Sequence, residues 1–103
     1  MADTFVGTYK QGTREVLDYT IDWSRTMSEE SDTAASSAWY IENSDSEIGD
    51  GTNGAVAPSL ALNVATAWLV PGTEGQICHL TNVVTTSGGR KFEASLKITI
   101  VDK

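Results

Sequence analysis

The runs QICHLTNVVTT (residues 76–86) and KFEASLKITIV (91–101), joined by SGGR (87–90), decide the fold class of this chain. In the second run Phe92, Ala94, Leu96, Ile98 and Ile100 alternate with Lys91, Glu93, Ser95, Lys97 and Thr99. A period of two is that of a strand with one apolar and one wet face. Ser87 to Arg90 supplies two glycines, Gly88 and Gly89, where a tight connection needs positive φ. The pattern predicts a β-hairpin at this end of the chain.

The same period recurs upstream. Leu17, Tyr19, Ile21 and Trp23 alternate with Asp18, Thr20 and Asp22. Ser36 to Glu42 forms a second run, with Trp39 and Ile41 on one side and Tyr40 on the other. Residues 43–54 are polar and contain the turn dipeptides Asp50-Gly51 and Asn53-Gly54. Leu60, Leu62, Val64, Thr66, Trp68 and Val70 then share one phase, too long a run for one strand, so a break is expected near Asn63 to Thr66. Pro71-Gly72 and Gly75 mark a corner. A helix over Ser28 to Ser37 is the one alternative, with Glu29, Glu30 and Asp32 in a first turn after Ser28, but it lacks an apolar stripe.

These runs predict an all-β chain, an antiparallel sandwich of about seven short strands. The corner at Gly75, followed by inward Cys78 and Leu80, has the shape of the penultimate strand of an immunoglobulin-like domain, at a position where many such domains carry a tyrosine. The expected organisation is one immunoglobulin-like β-sandwich over residues 15–103. Residues 1–14, with Phe5, Val6 and Tyr9, form an N-terminal arm or first edge strand.

Charge narrows the function. The 103 residues carry 14 acidic and 7 basic side chains, a net charge of −7. That balance argues against nucleic acid, whose phosphates bind clustered Lys and Arg. No apolar run reaches the roughly 18 residues of a membrane span, and Met1 to Phe5 lacks the charged and apolar regions of a signal peptide, so synthesis in the cytoplasm is expected. Residues 28–50 hold seven acids and no base, whereas residues 76–103 hold four bases and two acids. This asymmetry fits either solvated loops or head-to-tail docking of an acidic patch on a basic strand.

Catalytic constellations are missing. Cys78 and His79 are the only thiol and imidazole, and as strand neighbours they point to opposite faces, so they form no dyad and Cys78 reads as a core residue. One cysteine permits no internal disulfide. Gly49, Gly51 and Gly54 sit among carboxylates that repel phosphate. Those carboxylates, Glu42, Asp45, Glu47 and Asp50, leave an irregular calcium site open, but no EF-hand: with Gly51 as the invariant glycine, ligand positions fall on Ser46, Ile48 and Ala57. Asp18 and Asp22 lie on one strand face about 13 Å apart at roughly 3.3 Å per residue, wider than the roughly 5–9.5 Å of a glycosidase pair. No cofactor and no enzymatic activity are expected.

Two regions together carry a resemblance. EVLDYTIDWS (15–24) with Asp32-Thr33 and Ser36 to Trp39, and WLVPGTEG (68–75) with LTNVVTTSGGR (80–90), resemble a family of small tailed-bacteriophage structural proteins described as fiber–tail adaptors. The resemblance implies a non-enzymatic virion component with an immunoglobulin-like fold. It implies partners among the other virion proteins of tail, neck, fiber or capsid, with several copies in the particle, and neither nucleic acid nor membrane as partner. The candidate partner-binding residues are Asp18 and Asp22 on an outer face, the acidic Glu42, Asp45, Glu47 and Asp50, and the basic Arg90, Lys91 and Lys97. A capsid decoration protein is the alternative within the class. A carbohydrate-binding or adhesion module, stacking sugars on Trp39, Tyr40 and Trp68, is the alternative outside it; burial of at least two of these three aromatics is expected.

Overall fold

The structure, a computed structural model, describes residues 5–103; residues 1–4 of the expected arm lie outside the described residues. Eight strands and one short helix follow in order: β1 Phe5–Gly12, β2 Leu17–Asp22, α1 Ser24–Glu30, β3 Ala34–Glu42, β4 Glu47–Ile48, β5 Ser59–Ala61, β6 Val64–Val70, β7 Ile77–Thr86 and β8 Lys91–Val101. They form two sheets, β1-β8-β7-β3 and β2-β6-β4, with β5 also paired to β6. The chain is an all-β sandwich.

The hairpin read from residues 76–101 is the centre of the first sheet. β7 and β8 pair antiparallel, with Leu80 opposite Leu96 and Cys78 opposite Ile98, and all four are buried. The expectation of a wholly antiparallel sandwich is corrected at one place: β1 runs parallel to β8, with Tyr9 opposite Ile98 and Gln11 opposite Ile100. A strand that pairs parallel needs a long crossover, and here the whole rest of the chain serves as one.

The second sheet corrects the phase read for residues 60–70. The break comes earlier than expected, at Leu62-Asn63, whose φ values are 50° and 67°. Ala61 pairs with Val64 across this two-residue connection, and positive φ at both central residues is what a tight hairpin of the I′ class requires. In β6 the buried residues are Ala65, Ala67 and Leu69, while Trp68 on the alternate face is half-buried. The apolar pattern misleads because the outward face of β6 is also apolar. The inward alanines lie opposite the bulky Tyr19 and Ile21 of β2, so large packs against small.

The expectation that two of Trp39, Tyr40 and Trp68 are buried is also corrected: only Trp39 is, and Tyr40 is 55% exposed. The helix lies earlier than the Ser28 to Ser37 alternative and is shorter. Asp22 Oδ1 accepts the Ser24 N–H at 2.9 Å at its start, and buried Met27 anchors it. Ser31, left-handed at φ 53°, ends it by donating its N–H to the Ser28 carbonyl at 3.2 Å.

Two buried polar side chains tie the sheets together. Asn82 on β7 accepts the Trp23 indole N–H at 2.8 Å and donates to Ser37 Oγ and the Ala38 carbonyl, each at 3.1 Å. Gln11 on β1 donates to the carbonyls of Leu69 and Glu15 at 2.9 and 2.6 Å and accepts the Tyr19 hydroxyl at 2.8 Å. Both are fully buried and fully occupied, which is the condition for a buried polar group to stabilise rather than cost.

Cys78 is buried on the core side of β7 and His79 faces outward, with Asn43 Nδ2 at 3.3 Å from its Nδ1. Burial pushes the Cys78 thiol up to about 11. Native protein is therefore expected to resist labelling by a thiol reagent at neutral pH, since the thiolate is the reactive form. Cys78→Ser is expected to lower stability by about 1–3 kcal/mol, because a hydroxyl costs more to bury than a thiol and the Ser46 and Ser44 hydroxyls beside the sulfur offset only part of that cost. Fast labelling of native protein would overturn the facing of β7.

Candidate interaction surfaces

The two sheets expose two outer faces and two ends, and the candidate residues divide among them. Asp18 and Asp22 project from the outer face of β2 and are exposed, as expected. Asp18 pairs in register with Trp68, and Asp22 with Val64. Asp22 also begins α1, and the Ser24 hydrogen bonds hold its carboxyl below the usual carboxylate range.

The four acids of the 42–50 segment do not form one cluster. Glu42 ends β3 beside His79. Glu47 lies on β4 across from Val70. Asp45 accepts both the N–H and the hydroxyl of Thr73 at 2.8 Å, which lowers its pKa. A Cβ on Gly72 would collide with that carboxylate, so only glycine lets the two loops approach. Asp50 turns inward on its own loop, accepting from the Thr52 hydroxyl and N–H at 2.7 and 2.8 Å, and its pKa is lowered by them. Among the described residues no three His, Cys, Asp or Glu side chains gather into a metal-holding group.

The basic residues separate in the same way. Arg90 sits at the hairpin turn, but its guanidinium meets Asp32 at 3.2 Å and Glu30 at 3.6 Å in its own chain. Hydrogen bonds from Thr86, Thr33, Gly88 and Arg90 hold the Asp32 carboxyl low. Arg90 thus fastens α1 to the β7–β8 turn. Lys91 and Lys97 lie on the outer face of β8, with Lys97 in one row with His79 and Glu42 across the sheet. Asp45 is bound near the start of β7, by Gln76 and Thr73, while Arg90 follows its end. β7 has ten residues, so acidic loop and turn stand roughly 30 Å apart at about 3.3 Å per residue, at opposite ends of the sandwich.

The aromatics do not build a sugar platform. Tyr40 is on the outer face of the first sheet, Trp68 on that of the second, and Trp39 is inside. Sequence reading passed over one further feature, a shallow groove of about 280 Å³ where the edges of the two sheets meet. Tyr9, Lys10, Leu17, Asp18, Tyr19 and Thr20 line it. Its signal in the sequence is the apolar content of the first 17 residues, which is visible only once β1 is known to border β2.

No helix among the described residues is long and apolar enough to cross a membrane. No curated protein matches the chain. The two regions that carried the resemblance meet in space, since Trp23 of the first donates its indole N–H to Asn82 of the second. The family described as podophage GP4 fiber-tail adaptor protein gp77 matches residues 11–99, from the buried Gln11 to Thr99 near the end of β8, and the chain belongs to that family of phage structural proteins.

Proposed function

We propose that the chain is a non-enzymatic subunit of the virion tail or neck that joins a fiber or appendage to the particle, in several copies and through protein contacts alone. The observation that carries this reading is the family match over residues 11–99, which takes in both sheets rather than a local motif. The strand order supports an immunoglobulin-like assignment: β2-β6-β4 against β3-β7-β8 corresponds to strands B-E-D against C-F-G of such sandwiches. An adaptor of this kind needs rigid, matched surfaces rather than a cleft, and symmetric copies multiply weak contacts.

Glu42 and Glu47 of the acidic segment and the lysines of β8 are the electrostatic share of those contacts, since Asp45 and Asp50 are engaged by their own loops. Lys91 and Lys97 carry the basic side, because Arg90 is engaged by Glu30 and Asp32 of its own chain. Lys91→Glu combined with Lys97→Glu is expected to leave the fold intact and to remove the subunit from purified particles, read as copy number in a mass-resolved virion inventory. Wild-type copy number for the double variant, at low and physiological salt, would sink the electrostatic contact. Absence of the wild-type chain from purified virions would sink the adaptor reading itself.

A further inference from the structure

Leu62 is the most exposed large apolar side chain among the described residues, at 93%. It also holds a left-handed backbone, φ 50°, at the turn position where Asn, Asp or Gly is preferred because Cβ crowds the backbone. Leucine is thus a poor choice for this position on both counts, exposure and conformation. Local rules are broken in this way chiefly where function requires it.

The turn is mounted firmly. Asn63 accepts the Ala34 N–H on its side chain at 2.9 Å and the Trp23 N–H on its carbonyl at 2.8 Å. Leu62 therefore projects from a fixed base, as an anchor that fills a partner's pocket must.

The same chain presents a matching recess, the groove walled by Tyr9, Leu17 and Tyr19. Leu62 cannot reach its own groove, because the β5–β6 turn lies across β6 from β2 and beyond the Asp22 end of β2. The charges around the two features are complementary. Asp22 stands beside the turn, in register with Val64, and Lys10 lines the groove together with Asp18, so that Asp22 can face Lys10. Arg25, two residues beyond the Trp23 that binds Asn63, is 91% exposed and held loosely by a 3.9 Å pair with Glu29, which leaves it able to turn to Asp18.

We propose that Leu62 of one copy docks into the β1–β2 groove of the next, a heterologous head-to-tail contact between copies of this chain. This deepens the adaptor reading by naming the self-contact, and rests on it only for the particle as its setting. A heterologous contact closes into a ring or runs on as a filament according to its rotation.

Mixing full-length Ala61→Cys, which keeps Leu62 and places the thiol on its exposed neighbour, with full-length Thr20→Cys and adding a short bismaleimide tests it, since Cys78 is buried and does not compete. The expected product is a 61-to-20 cross-link between the two variants, in excess of either homodimer. Leu62→Asn is expected to weaken self-association in sedimentation at least tenfold while its melting temperature stays equal or rises, because asparagine suits the left-handed turn. Cross-linking only between two copies of the Ala61→Cys variant, no cross-link at all, or wild-type self-association of Leu62→Asn would overturn the contact. None of these results touches the adaptor reading, which the virion inventory decides separately.

Discussion

Asn82→Ala is expected to lower the unfolding free energy by about 3–5 kcal/mol, each orphaned buried group costing roughly 1–3 kcal/mol. The substitution strands the Trp23 indole N–H inside the sandwich, removes the part-buried bonds to Ser37 and the Ala38 carbonyl, and opens a void in the core. For a chain of this length that corresponds to a drop in melting temperature of roughly 15 °C or more. Trp39 is the internal control. Its indole N–H is buried without a hydrogen-bond partner, so Trp39→Phe gives up no such bond and is expected to cost less than Trp23→Phe, which leaves Asn82 Oδ1 unpaired. Urea unfolding of the three variants measures all of this. An Asn82→Ala loss below about 1 kcal/mol, or equal losses at the two tryptophans, would contradict the account of Asn82 as a satisfied core bridge.

Gln11→Leu is expected to cost about 2–4 kcal/mol, on the same scale of roughly 1–3 kcal/mol per orphaned group. It leaves the Tyr19 hydroxyl and the Leu69 carbonyl without their partner. Burial already pushes the Tyr19 phenol strongly upward, so this hydroxyl cannot escape its need for an acceptor by ionising. The loss is expected to be local first. Amide exchange along β1 rises more than exchange in β7, because Gln11 joins an edge strand to the second sheet while β7 is the middle of the first. Uniform exchange across the molecule, or a cost within error of zero, would show that β1 holds without the amide.

The hairpin, the β2 alternation and the inward Cys78 were legible in the sequence because one face of each strand is apolar and the other polar. β6 was not, since Val64, Trp68 and Val70 on its outer face outweigh Ala65 and Ala67 on its inner one by any scale of hydrophobicity. Leu62-Asn63 carries no turn dipeptide, so the hairpin it makes left only a vague break. Gln11 and Asn82 look like ordinary polar residues. Their roles depend on partners 58 or 59 residues away, and no local pattern reports such a distance. The charge blocks were visible as composition, but the pairing of Arg90 with Glu30 and Asp32 became visible only when the turn and α1 were brought side by side.

The parallel pairing of β1 with β8 has a mechanical consequence. Seven residue pairs hold these strands in register, and a pull on the N-terminal end of β1 against the C-terminal end of β8 runs along both strands in opposite senses. The load then falls on the rungs of the ladder together, in shear, rather than on one rung at a time as when a hairpin is unzipped. Forced unfolding is governed by the barrier to that event and not by equilibrium stability. A subunit fastened between a particle and an appendage would thus resist tension along this axis better than its modest core suggests, and would peel easily only when pulled across it.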